Sequence, residues 1–362
     1  MYFFFRFGRR IAMLISTSLS AVFMIALPFS PSYVIFTSIR FIIGVASGGA
    51  MFTCVVQVME IIGKKYIEIA GVCVLIPVCL AQASLAGFAY FTSNWKGYTL
   101  SYGVASCLIF VITFFVPESP RWLIANGKDD EAVKIITSAA YRNKLNTSNI
   151  RAEITKALED MKSKDSEILK VSYLDFFKSK AIIIPTLVIF ILWCSLSMCF
   201  FEISQYVTIV GLSPYFTVVI LGLTPIPFLP LGIILNKQFG RKYSTIGTIM
   251  CVAVATIFLV FVSKGHWSGH VFGVIAFVSC NISWSISYVH VSEMYPTPIR
   301  SMGFGLASCG ATIGSIIAPF IVNIAPRWLP SLIFCIFAVL SGLCCSALPE
   351  TKGRNLKDTM EK

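Results

Sequence analysis

Glu202 stands inside an apolar stretch, 181–203, immediately after Phe200 and Phe201. A carboxylate at that depth is expensive to hold in lipid and marks a candidate site, here one able to pair with an ammonium group. The alternatives are a carboxylate at the outer water interface, or one paired with Arg40 in the 33–59 stretch. Trp284 and Tyr288, one helical turn apart, share a face. With Phe200 and Phe201 they could wall a cavity for flat or quaternary cations, which are attracted to aromatic faces. Each aromatic taken alone is more often a packing or lipid-facing residue. Gln82 adds a weaker polar candidate in 69–91. Neither a nucleotide-binding G-x-x-x-x-G-K-[ST] loop nor a C-x-x-C pair occurs, and no catalytic triad or metal cluster is visible. ATP drive and cofactors are therefore not expected. Proton coupling is not expected either, since Glu202 is the lone candidate relay carboxylate.

Membrane helices must position these residues. Of 362 residues, 56% are hydrophobic and 13% charged, against about half and a quarter in soluble chains. Apolar stretches run at about 11–29, 33–59, 69–91, 98–116, 181–203, 214–235, 243–262, 271–291, 302–324 and 329–348. Each approaches the ~20 residues needed to cross a bilayer. Net charge is +12, but the charge is sorted: 25 of the 29 Lys and Arg fall on one side of these spans. The positive-inside rule makes that side cytoplasmic and, with ten spans, puts both termini there. The basic excess thus reports topology, and a nucleic-acid partner is not needed to explain it. Glu202 is the single one of 17 acidic residues away from that side. The twelve cysteines lie mostly within spans and read as buried free thiols.

The chain is duplicated. Arg6-Phe7-Gly8-Arg9-Arg10 is echoed by Gln238-Phe239-Gly240-Arg241-Lys242, and Pro117-Glu118-Ser119 by Pro349-Glu350-Thr351, both 232 positions on. Glu60 and Glu293, each just past an apolar stretch, lie 233 apart. Such repeats are common in transporters. The expected organisation is an N-terminal half at 1–116, a cytoplasmic helical linker at 117–180, a C-terminal half at 181–348 and a tail at 349–362. The first half has four spans and the second six, so two spans before the start are expected to be missing. In the linker, Asp129-Asp130-Glu131 and the later Arg142 and Lys144 suit the two ends of one helix dipole. A second amphipathic helix is expected after Ser148 or Asn149, with Ile150, Ile154, Leu158 and Met161 on one face.

Four motifs, Pro117-Glu118-Ser119-Pro120-Arg121-Trp122-Leu123, Glu293-Met294-Tyr295-Pro296-Thr297-Pro298-Ile299-Arg300, Gly314-Ser315-Ile316-Ile317-Ala318-Pro319 and Leu348-Pro349-Glu350-Thr351-Lys352-Gly353, resemble major facilitator superfamily signatures. Sugar porters share the first and last. The middle two, with Ala139-Ala140-Tyr141-Arg142-Asn143, make the chain more similar to the organic cation/anion transporter family. The sugar porters' glutamine-rich motif is replaced by Ser197-Met198-Cys199-Phe200-Phe201-Glu202. The resemblance covers essentially the whole chain. It implies an all-α polytopic membrane protein of the major facilitator fold, with two pseudo-symmetric helical halves and about ten of twelve spans present.

The resemblance also implies roles. Arg9, Glu60, Glu118 and Arg121 would form one cytoplasmic gate cluster, and Arg241, Glu293, Arg300 and Glu350 its counterpart, opening as the halves alternate access. The bland reading is that these charges only fix topology. The family's acidic residue before the glycine turn is Phe5 in one half and Lys237 in the other, and Ile67 replaces the arginine expected after Glu60, so the gate is thinner than usual. Phe200 and Phe201 fall where the family's cavity aromatics lie, and Glu202 where glycine is common. Thr312 holds a position that is acidic in several cation carriers and basic in anion carriers, which leaves polarity open and permits zwitterions. Arg40, four residues before Gly44, is expected to be structural. The expected activity is facilitative or secondary active transport of small organic ions, cation or zwitterion ahead of anion, in the plasma membrane. A sugar-porter-like facilitator, or a non-transporting partner of longer carriers, are the competing readings.

Overall fold

Lipid offers no partner for backbone polar groups, so a crossing segment must satisfy them within itself, and a helix does so. The computed structural model describes residues 8–62, 66–92, 94–144, 152, 180–209, 213–261, 267–295, 300–324, 326 and 328–352. Every regular element among them is helical. Among the described residues ten helical stretches are long and apolar enough to cross a membrane, and each lies within a few residues of its expected position.

In chain order the helices are α1 (Arg9–Ala26), α2 (Tyr33–Ile61), α3 (Ile67–Cys73), α4 (Leu75–Phe91), α5 (Trp95–Thr113), α6 (Pro120–Ala125) and α7 (Asp129–Arg142). They continue as α8 (Lys180–Ile209), α9 (Pro214–Leu223), α10 (Pro225–Phe239), α11 (Arg241–Phe261), α12 (Trp267–Met294), α13 (Arg300–Val322) and α14 (Trp328–Cys344). Two spans are broken rather than straight. Val74 interrupts α3–α4 three residues before Pro77, and Thr224 interrupts α9–α10 directly before Pro225. Proline lacks the N–H that would continue the ladder. Several starts carry side-chain caps: Ser32 accepts from the N–H of Ile35, Asn94 from Gly97, Ser119 from Trp122 and Ser213 from Phe216.

Contacts divide the chain into two compact units, 1–64 with 92–171, and 65–91 with 172–362. These units do not follow chain order, because the span at 69–91 groups with the later ones. In the first unit α1 packs on α2 and α5. The linker helix α7 has its acidic first turn and Arg142 in its last, as its charges foretell, and lays Ala132 on Trp122 and Leu123 of α6. The second amphipathic helix expected after Ser148 lies outside the described residues. In the second unit α8 packs on α13, α11 on α12 and α14, and α4 on α9. Helix α12 is buried on nearly every side along 276–292, which explains why its serines, Asn281 and His290 can face protein instead of lipid. The twelve cysteines are free; Cys79, Cys199, Cys280, Cys335 and Cys345 are buried, whereas Cys54, Cys73, Cys251 and Cys309 are exposed on span surfaces.

Candidate functional site

The duplicated charges assemble into two clusters of the same design. In the first unit Arg9, at the start of α1, donates from Nε and Nη2 to the two oxygens of Glu60 near the end of α2, at 3.2 and 2.7 Å. In the second, Arg241 at the start of α11 does the same to Glu293 at the end of α12, at 2.9 Å for each bond. These are bidentate, charge-assisted pairs. A hydroxyl completes each: Ser119 Oγ donates to Glu60, and Thr351 Oγ1 to Glu293.

The second carboxylate of each cluster binds backbone. Glu118 accepts from the N–H groups of Arg9 and Arg10, and Glu350 from those of Arg241 and Lys242. Each thus satisfies donors that a helix start leaves open, where the helix dipole favours negative charge. This seat dictates the residue before the helix. Gly8 and Gly240 have φ of +96° and +85°, and a Cβ on either would run into Glu118 or Glu350. Burial alone would push the Glu350 carboxyl up, but the N–H donors of Lys352, Arg241 and Lys242, with a contribution from His290, hold it below its ordinary value.

Not every expected gate residue joins. Arg121 is exposed and makes no ion pair or hydrogen bond with a described residue. The side chain of Arg300 lies outside the described residues, as do Phe5 and the side chain of Ile67. Lys237 is exposed. Ser119 and Thr351 were not singled out from sequence, although both motifs place a hydroxyl right after the glutamate.

The cavity candidates form two aromatic groups in the second unit. Trp284 and Tyr288 of α12 meet Trp193 of α8 with ring centroids 5.0 and 5.2 Å apart, and Tyr288 lies 6.3 Å from Phe304 of α13. Trp193 is the buried hub, 1% exposed. It escaped the sequence reading, though it sits two turns before Phe200 on one face of α8. Phe200 packs on Phe277 and Phe201, and Phe201 is itself exposed. Glu202, adjacent in sequence, points elsewhere: it is 1% exposed and accepts from Ser331 of α14 at 2.9 Å. Its other oxygen, Oε2, has no hydrogen-bond partner among the described residues. Thr312 is exposed and donates to the Ser308 carbonyl of its own helix. Gln82 on α4 is half-buried. In the first unit the Arg40 guanidinium lies over the Phe36 ring, 5.5 Å from its centroid.

The profile of the family described as "Sugar (and other) transporter" matches residues 1–362. The chain belongs to that family. Its relatives include human "Solute carrier family 22 member 13", 30% identical over 98% of this chain and 64% of that protein. Rat "Solute carrier family 22 member 3" is 31% identical with the same coverage. The "Organic cation/carnitine transporter 4" of Arabidopsis thaliana is 29% identical over 98% of this chain and 68% of its own length. The chain therefore spans about two thirds of the length of such relatives. Among solved structures, the proton:xylose symporter XylE bound to 6-bromo-6-deoxy-D-glucose superposes with a TM-score of 0.74, covering 99% of this chain and 84% of that one. A double-Trp XylE mutant gives 0.77 over 98% and 83%. At 18% and 20% identity these establish the fold, which is that of the major facilitator superfamily. This family member is a multi-pass membrane protein related to transporters, not to enzymes.

Proposed function

We propose that the chain moves small organic ions across the plasma membrane by alternating access, cations or zwitterions ahead of anions, as a facilitative or secondary active carrier. The observation that carries this reading is the ion-pair cluster built twice from duplicated motifs, once at the start of α1 and once at the start of α11. Each ties the start of one span to the end of another through a bidentate, charge-assisted pair, a contact that an opening and closing gate has to make and release. The halves at 1–116 and 181–348, joined by the 117–180 linker and followed by the 349–362 tail, move as the repeated elements, with both termini cytoplasmic. Relatives named for organic cation and carnitine transport support the substrate class. Trp284, Tyr288, Phe200 and Phe201 supply the aromatic wall, and Thr312 and Gln82 polar contacts. Glu202, bonded to Ser331, adds the buried carboxyl of the set.

The test is uptake of labelled tetraethylammonium and carnitine by cells expressing the chain, beside Glu202→Gln at matched surface expression. Saturable uptake of either solute, reduced at least tenfold in the variant, is the expected result. Competition by hexoses with indifference to Glu202→Gln would move the chain to the sugar-carrying readings. Absence of uptake for ions, anions and hexoses alike would leave it a partner of other carriers.

A further inference from the structure

The internal repeat extends to a residue pair that the motifs do not contain. Gln57 stands three residues before Glu60 on α2, and His290 three residues before Glu293 on α12, again 233 positions apart. Both side chains are buried, 2% and 1% exposed. Gln57 Nε2 donates to the carbonyl oxygen of Pro117 at 2.6 Å, and His290 Nε2 to that of Pro349 at 3.1 Å. A carbonyl only accepts, so the His290 hydrogen sits on Nε2. Those prolines immediately precede Glu118 and Glu350, the carboxylates seated on the starts of α1 and α11.

Two chemically different side chains therefore perform one contact at equivalent places. What they share is an N–H donor the same number of bonds from Cα, at the ε position. Neither titration nor ring shape is common to them, so the donor and its reach are what the site requires. A proline carbonyl beside buried helix ends needs a donor, since an unpaired buried acceptor costs about 1–3 kcal/mol. Fixing it also fixes the peptide plane that leads into the next residue. A one-turn spacing aligns the two jobs on one helix face: Glu60 and Glu293 take the arginine, while Gln57 and His290 hold the segment that delivers the other carboxylate.

We propose that Gln57 and His290 are positioning residues that clasp the Pro-Glu segments, so that Glu118 and Glu350 stay on the N–H groups of α1 and α11. Each cluster is thus a four-part lock of arginine, two glutamates and a clasp donor, closed by a hydroxyl. The role of that lock in a transport cycle rests on the gate reading above, but the clasp itself does not, and its test needs no solute.

Hydrogen–deuterium exchange of the full chain in detergent reads the Arg241 and Lys242 amides directly, with the Arg9 and Arg10 amides as the internal reference. His290→Gln transplants the donor used in the other half and keeps exchange at the wild-type rate. His290→Asn is polar and of similar bulk, but its amide falls one bond short. It speeds exchange at 241–242 about fivefold, the equilibrium factor of one net hydrogen bond, and leaves 9–10 unchanged. Gln57→Asn does the reverse, and Gln57→His restores the slow rate. The proposal is overturned if His290→Asn exchanges as slowly as wild type, if His290→Gln is as fast as His290→Asn, or if either Asn variant accelerates both sites equally.

Discussion

Arg241 and Glu293 provide the sharpest test of whether the duplicated charges of the repeat act as a pair. Their two parallel bonds of 2.9 Å join side chains only 10% and 17% exposed. Exposed ion pairs contribute about 0–1 kcal/mol, because water and salt replace the partner at little loss. A covered bidentate pair is different, since removing one member strands the other's charge, at about 3–5 kcal/mol when burial is complete. The residual exposure and the Thr351 hydroxyl, which keeps one bond to Glu293, bring the expectation down to roughly 2–3 kcal/mol for each single variant. Arg241→Met with Glu293→Gln removes both charges at once, so the double variant should lose about 2 kcal/mol less than the sum, roughly a thirtyfold coupling. Unfolding in detergent can be followed through thiol labelling, because Cys199, Cys280, Cys335 and Cys345 are free and buried in the unit that holds the pair. Additivity within about 0.5 kcal/mol would refute the reasoning and make the two charges independently solvated. Arg9→Met with Glu60→Gln should repeat the coupling in the other unit, and Arg121→Ala should stay within about 0.5 kcal/mol of wild type.

Other consequences can be measured on the same purified protein. Gly240→Ala should destabilise by at least about 1–2 kcal/mol from its left-handed backbone and dislodge Glu350, whereas Gly247→Ala, with open space at its Cβ, should be stabilising by up to about 1 kcal/mol as a helix-interior change. Both are read as melting shifts. Because the Glu350 carboxyl is held below its ordinary value of 4.5, its contribution is fully present above that pH and is lost as pH falls through the lower folded value. Melting temperature should therefore drop on acidification below about pH 4.5, with a shallower drop in Glu350→Gln. Ser331→Ala leaves the buried Glu202 carboxyl without its described donor and should cost about 1–3 kcal/mol; Glu202→Leu in the same background should recover most of it.

Much of this architecture was legible in the residue order, because the forces that set it are one-dimensional. Apolar length fixes where helices cross, and the sorting of Lys and Arg carries the orientation expected of them. The 232-residue repeat announces that Arg9 with Glu60 and Arg241 with Glu293 must be solved in the same way, and the glycine before each arginine marks a turn that no side chain could enter. The family signatures add the fold. What sequence could not supply is direction around a helix axis and reach between distant segments. Glu202 follows Phe201 by one residue, yet a rotation of one position turns it from the exposed face to Ser331 on α14. Glu118 and Glu350 look from sequence like partners for arginine side chains; folding delivers them to backbone N–H groups, because a helix start presents unpaired donors that a nearby carboxylate satisfies. Arg121, grouped with them by motif, is left at the surface. Trp193 became the centre of the aromatic group only once α8, α12 and α13 were packed together. Gln57 and His290 share no residue type, so no motif could join them. Only the tertiary structure, by placing a proline carbonyl within reach of each, reveals the donor they have in common.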